Sequence, residues 1–237
     1  MKSKSHFHFK NFSVAHARST MKVGTDAVLL GAWANVNNAK RVLDIGTGNG
    51  TIALMLAQRT TENAVIDAVE IEETDFTQAH ENFIQSPWAH KIHVHHYSIQ
   101  DFYPDKLYDV VVSNPPYFNK SQKPPDEKRS QTRHTITLSY EELLAAAVRL
   151  LTDVGSFNVI LPYVEGLQFM ELAKRYSLFC LRQFSFKTRE HKPIERWLLE
   201  YSKKSGEVQT GEILLYKEGD EWSDSYCSLT REFYLKI

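Results

Sequence analysis

Residues Val42-Leu43-Asp44-Ile45-Gly46-Thr47-Gly48-Asn49-Gly50-Thr51-Ile52-Ala53-Leu54 run from an apolar strand through three alternating glycines into an Ala/Leu-rich helix. Strand, tight loop and helix in immediate succession are the opening half of a βαβ unit, so this stretch constrains the fold more than any other. Glycine lets the backbone take positive φ and approach a ligand closely, and the helix start behind the loop offers unpaired N–H groups. A polar ligand is expected across the loop. The spacing is Gly-x-Gly-x-Gly with Asp44 two residues before Gly46, not the Gly-x-Gly-x-x-Gly of dinucleotide binders, so a pyrophosphate is not the expected ligand. Downstream, Ala64-Val65-Ile66-Asp67-Ala68-Val69-Glu70 reads as a second strand ending in an acid. A carboxylate there can accept from both ribose hydroxyls of a nucleoside, which predicts an adenosine-containing ligand.

The rest of the chain alternates in the same way. Strands are expected near residues 41–45, 65–70, 92–96, 108–113 and 155–161, with helices near 51–59, 73–85 and 139–152, the pattern of a parallel sheet covered on both faces. Ser139 answered by Glu142 is a capping box. Leu143, Leu144, Ala147 and Leu151 follow at helical spacing as core contacts. Val164 to Tyr176 is a further helix, and Ser177 to Phe186 with Ile194 to Ser202 form a closing antiparallel pair. With 237 residues, 42% of them hydrophobic, one domain over 1–237 is expected.

The run Tyr108-Asp109-Val110-Val111-Val112-Ser113 delivers Asn114-Pro115-Pro116-Tyr117 to a strand's carboxyl end, where open α/β sheets do chemistry. One amide acceptor, one proline carbonyl and one flat aromatic face suffice to hold a planar amine and aim its nitrogen at an electrophile. A proline pair alone is a turn signal, and Pro124-Pro125 is a second pair without such company.

At these residues the chain resembles the class I S-adenosylmethionine-dependent methyltransferases, in the branch that methylates planar nitrogens. The stretches 21–34, 54–59 and 82–89, with the ending Phe233-Tyr234-Leu235, are similar to bacterial enzymes that methylate the 6-amino group of the adenosine just 3′ of the anticodon in valine tRNA. The resemblance implies a Rossmann-like fold with a mostly parallel seven-stranded sheet, helices on both faces and a closing antiparallel strand. It implies S-adenosylmethionine as cofactor, S-adenosylhomocysteine as product, and the valine-tRNA anticodon loop as partner. Cofactor residues fall on Asp44, Gly46, Gly48, Gly50 and Glu70, and amine-binding residues on Asn114, Pro115, Pro116 and Tyr117. Thr25 lies in a basic amino-terminal segment, 1–38, implied to close over the methionine end of the cofactor, with 39–237 as the catalytic core. After the strand at 92–96 the family usually has an acid against the cofactor adenine. This chain shows Tyr97-Ser98-Ile99 there, and Ser98 carries no charge.

The net charge of −1 hides an asymmetry. Residues 1–25 carry five basic residues and no acid, 119–134 five against two, and 174–204 nine against three, which leaves −15 on the remaining 165 residues. Such segregation predicts a polyanion-binding face. Phe7, Phe9 and Phe12 interleave with the first basic segment and could stack bases, or form an alternating strand on the core. His93 and His95 share a strand face, yet no Cys or carboxylate follows at ligand spacing, and methyl transfer from a sulfonium needs no metal. Cys180 and Cys227 are too few and too far apart for a disulfide framework. The amino terminus lacks a signal-peptide core, so a cytoplasmic protein is expected.

The reading that follows is N(6)-methylation of an unstacked adenosine in tRNA. Asn114 and the Pro115 carbonyl would accept the amine hydrogens while Tyr117 stacks on the ring. Alternatives are a protein-glutamine methyltransferase, in which a side-chain amide replaces adenine, an N(6)-adenine methyltransferase of another RNA or DNA, and a binding module without catalysis. A second domain for reading duplex DNA is not apparent, and the catalytic and cofactor positions are present.

Overall fold

Side chains of successive strand residues point to opposite faces, and the central strands here are apolar on both, so both faces must be covered. The computed structural model describes residues 6–19, 22–116 and 138–236. In chain order the elements are β1 (His6–His8), β2 (Ser13–Ala15), α1 (Thr25–Trp33), β3 (Arg41–Ile45), α2 (Thr51–Arg59), β4 (Val65–Glu70), α3 (Glu73–Ile84), β5 (Ile92–His96), β6 (Tyr108–Ser113), α4 (Tyr140–Leu150), β7 (Leu151–Pro162), α5 (Tyr163–Arg175), β8 (Phe179–Lys187), β9 (Arg196–Ser202), β10 (Gln209–Leu214) and α6 (Asp224–Thr230). The main sheet has the order β10-β8-β9-β7-β6-β3-β4-β5, and β1 pairs with β2 separately. Only β9 runs antiparallel to its neighbours in the main sheet.

The alternation is visible residue by residue. Val42, Val110 and Val112 point into a core shared with α1, α2, α3 and α6, while Leu43, Ile45 and Val111 point into a second core shared with α4 and α5. Helix α1 is buried from Val28 through Trp33, as a helix apolar all round must be. Leu54 on α2 is fully buried, and its truncation to Ala would cost about 2–5 kcal/mol. The capping box forms as expected: the Glu142 amide donates to Ser139 Oγ at 3.2 Å, and the Ser139 amide donates to Glu142 Oε2 at 2.8 Å.

One expectation is revised, and one open alternative is decided. The sheet has eight strands where seven were expected, because β10 adds parallel to β8 at the edge. Its sequence, Gln-Thr-Gly-Glu-Ile-Leu, is a poor strand signal. A Cβ on Gly211 would lie 2.4 Å from the Phe184 ring, so that ring occupies the space of the missing side chain. The phenylalanines do not form a base-stacking surface: Phe9 and Phe12 are 3% and 6% exposed, with ring centroids 4.5 Å apart and packed toward Trp88, Phe233 and Tyr234. They take the alternative course of core packing.

Candidate active site

The three loop glycines all have positive φ, +69° at Gly46, +56° at Gly48 and +83° at Gly50, but they face different surroundings. At Gly46 and Gly48 a Cβ would meet nothing within 4 Å, whereas at Gly50 it would strike Phe83 at 2.4 Å. Gly50 therefore serves the packing of α2, for which it is the N-cap, on α3. Gly46 and Gly48 present bare backbone to open space.

Two buried carboxylates stand behind the loop at the ends of adjacent strands. Asp44 is fully buried. Its Oδ2 accepts from Thr47 Oγ1 at 2.6 Å, and its Oδ1 makes no hydrogen bond of ordinary geometry. Burial pushes its pKa up to about 7, opposed by hydrogen bonding from the Thr47 hydroxyl and the Ala53 amide and reinforced by Glu70. Glu70 Oε2 accepts from the Gly48 amide at 2.8 Å, and its Oε1 from the amides of Ile71 and Glu72 at 2.9 and 3.0 Å. Burial raises its pKa against the pull of those amides. A carboxylate offers about four lone-pair sites, so Glu70 holds the loop and retains capacity for a ligand hydroxyl.

In front of the loop lies a cleft of about 310 Å³ lined by Lys22, Gly24, Thr25, Asp26, Ala27, Gly46 to Asn49, Thr51, Ile52, Asn114 and Arg196. Four sequence-expected residues thus meet on its wall: Thr25, Gly46, Gly48 and Asn114. Asn114 is half-buried, Pro115 buried and Pro116 exposed; Tyr117 lies outside the described residues. The Ser113 hydroxyl donates to the Ile45 carbonyl at 3.0 Å, tying the strand end that carries Asn114 to the one that carries the glycine loop. Ser98 and Ile99 are not on the cleft wall. Ser98 Oγ donates to Asp101 Oδ2 at 2.6 Å, and Ile99 is buried with its carbonyl accepting from Arg149 at 2.7 Å.

Three contributors escaped sequence reasoning. Asn82 is buried on α3, and its amide donates to the carbonyls of Asn49 at 2.8 Å and Ala15 at 2.9 Å, tying the amino-terminal segment to the glycine loop. Asp26 and Arg196 pair across the cleft wall at 2.9 Å, although 170 positions apart. An Asn on a helix and an ion pair of such separation leave no local pattern.

The charge asymmetry changes on folding. Of the nine basic residues in 174–204, six meet acids: Lys174–Glu171, Arg182–Glu200, Lys187–Glu212, Arg189–Asp220 and Arg196–Asp26 at 2.6–2.9 Å, and Lys203–Asp153 at 3.8 Å. Most of those acids lie outside the segment. Residues 174–204 are therefore not a uniformly cationic face. The basic stretch 119–134 lies outside the described residues. Among the described residues no group of three or more His, Cys, Asp or Glu is placed to hold a metal ion, and no helix is long and apolar enough to cross a membrane.

Residues 7–173 match the methyltransferase small domain model. Proteins named tRNA1(Val) (adenine(37)-N6)-methyltransferase are similar over nearly the whole chain. That of Yersinia enterocolitica is 43% identical, covering 97% of this chain and 92% of its own. That of Trichodesmium erythraeum is 43% identical, covering 97% and 98%, and that of Histophilus somni 40%, covering all of both. Among solved structures, a predicted O-methyltransferase of Agrobacterium tumefaciens superposes with a TM-score of 0.68 at 16% identity, covering 88% of this chain and 96% of that one. It shares the fold. A glycine loop in front of two buried carboxylates, an Asn at the next strand end and relatives at this identity converge: the chain belongs to the methyltransferase small domain family, and within it to the family of the tRNA1(Val) (adenine(37)-N6)-methyltransferases.

Proposed function

We propose that this chain methylates the 6-amino nitrogen of the adenosine just 3′ of the anticodon in valine tRNA, with S-adenosylmethionine as donor and S-adenosylhomocysteine as product. The observation that carries the reading is that Asn114 and the bare glycine backbone share one cleft. Its relatives' names supply the substrate. The residues fit the cofactor: Gly46 and Gly48 leave open the space a Cβ would fill, and Thr25 and Asn114 stand on the wall of the same cleft. Residues 1–237 act as one domain in the cytoplasm, with 1–38 closing over the cofactor.

When bound, S-adenosylmethionine supplies a methyl group on an already activated sulfonium, so the protein's task is alignment and charge placement. Gly46 and Gly48 would present backbone to it, Glu70 would accept from its ribose and Thr25 would cover its methionine end, while Ser98 and Ile99, the positions the resemblance sets against the adenine, stand off the cleft wall. Asp44, buried beneath the loop, supplies negative charge. On the substrate side, the Asn114 side-chain carbonyl and the Pro115 carbonyl accept the two amine hydrogens and turn the nitrogen lone pair toward the methyl. Tyr117 stacks on the base, a contact worth about 1–3 kcal/mol. The methylated ammonium loses its proton to water, so no strong base is needed. Mass spectrometry of nucleosides from valine tRNA incubated with protein and cofactor tests the reading. N(6)-methyladenosine at that position is expected; methylation confined to a glutamine-containing peptide would overturn it.

A further inference from the structure

Strand β7 runs past its neighbour. Ser113, the last residue of β6, pairs with Val159, and β7 continues three residues further to Pro162, a rise of about 10 Å at 3.3 Å per residue. Pro162 lies three residues past the Ser113–Val159 pair along β7, as Pro116 lies three residues past it along the neighbouring segment. Two groups are carried to that height. Tyr163 opens α5 directly after Pro162, 41% exposed, its ring stacked at 6.0 Å on Trp197 and its amide donating to the Glu195 carbonyl at 3.1 Å. Arg196, paired with Pro162 in register, lines the cleft beside Asn114, and the turn 188–195 that precedes it extends beyond. The tip of that turn, Glu190 to Pro193, is exposed.

Arg175, Lys192 and Lys204 are the three cations of 174–204 without an ion pair among the described residues, and of these Lys192 alone lies in the turn that leads into Arg196. Arg189 is held by Asp220, but Lys192 has no acid partner among the described residues. An exposed cation in the turn before Arg196 and an aromatic face directly after Pro162, the residue paired with Arg196, match the two demands of a nucleic-acid strand: phosphate neutralisation and base stacking.

We propose that this overhang receives the RNA flanking the target adenosine, with Tyr163 stacking on a neighbouring base and Lys192 neutralising a neighbouring phosphate. The inference rests on the tRNA reading above. It places the RNA contact on the β7–α5 and β8–β9 side of the cleft and assigns the ion-paired cations of 174–204 to the fold.

The test compares Lys192→Gln with Lys174→Gln, which removes the same charge from the same segment but from a residue paired with Glu171. Lys192→Gln should raise the KM for tRNA about threefold and lower the slope of log affinity against log salt by roughly one, with kcat and S-adenosylhomocysteine affinity unchanged. Lys174→Gln should behave as wild type. Tyr163→Leu should raise the KM about tenfold, and Tyr163→Phe should restore it, which separates stacking from folding. Equal tRNA kinetics for the two lysine variants, or a wild-type KM for Tyr163→Leu, would overturn the assignment while wild-type methylation of tRNA leaves the function standing. If the wild type methylates a glutamine peptide and no tRNA, both readings fall together.

Discussion

The two walls of the cleft are built in different ways. The glycine-loop wall is made of near neighbours: Asp44 holds Thr47 three residues away and Glu70 holds Gly48 across one strand pairing, with both carboxylates buried. The opposite wall joins Asp26, Asn114 and Arg196 from three distant segments, half-buried and linked by an ion pair. A wall fixed by local backbone geometry is preorganised for a constant ligand. A wall assembled from side chains on separate elements can be shaped to a particular substrate. The comparison predicts that damage to each wall produces a different kinetic signature.

The largest effect is expected at the substrate wall. Asn114→Ala should lower kcat by about 100- to 1000-fold, as loss of a transition-state hydrogen-bonding group does, while S-adenosylhomocysteine affinity by calorimetry stays within about tenfold. Near-full turnover in that variant would remove Asn114 from the reaction. Next comes Glu70→Ala, which should weaken cofactor binding by about 1.5–3 kcal/mol, or roughly 10- to 150-fold, with the KM for tRNA little changed. Because Glu70 also accepts from Gly48, Ile71 and Glu72, Glu70→Gln should be no milder, since its amide group would face N–H donors. A benign Glu70→Gln would show that the loop does not depend on that carboxylate.

Asp44 gives a third test, through pH. Its folded pKa of about 7 lies above its ordinary 3.8, so the folded state binds the extra proton between those values. Stability is therefore lost as pH rises from about 4 through about 7, and stays low above. Asp44→Asn removes this loss, and its melting temperature should exceed the wild type's near pH 8 by about 2–4 °C for each kcal/mol recovered, with little difference near pH 4. A positively charged ligand in the cleft should favour ionised Asp44, so wild-type cofactor affinity should rise toward pH 7 and level off. Titrations in buffers of different ionisation enthalpy would detect the released proton. A pH-independent affinity equal in both proteins would mean that Asp44 does not sense the ligand.

The smallest effect is expected at Asp26. Its pair with Arg196 is partly solvated, with side chains 19% and 28% exposed, and such pairs contribute on the order of 1 kcal/mol or less. Asp26→Asn should change the KM for tRNA by about threefold and cofactor affinity by no more than that. A larger change in cofactor than in tRNA binding would show that the two walls are one unit.

The strands and helices around the glycine loop were legible because their signals are local. Periodic apolar residues at 41–45, 51–59, 65–70 and 108–113 and glycines at fixed offsets return the observed β3, α2, β4 and β6 with the same bounds. The last strand was not, because β10 has no apolar alternation of its own and takes its place from β8 and the Phe184 ring. Gly50 carried the same signal as Gly46 and Gly48 but serves Phe83, a contact with another helix that spacing cannot report.

By itself the sequence determined the parallel α/β architecture, the glycine loop, its two carboxylates and the Asn at the following strand end, since each follows from backbone geometry over a few residues. Tertiary structure alone decided which cations are spent on ion pairs, that the amino-terminal phenylalanines enter the core, and that Arg196 and Asp26 meet at the cleft. Coulombic and packing contacts depend on separation in space, and in a chain folded through parallel crossovers that separation is unrelated to distance along the sequence.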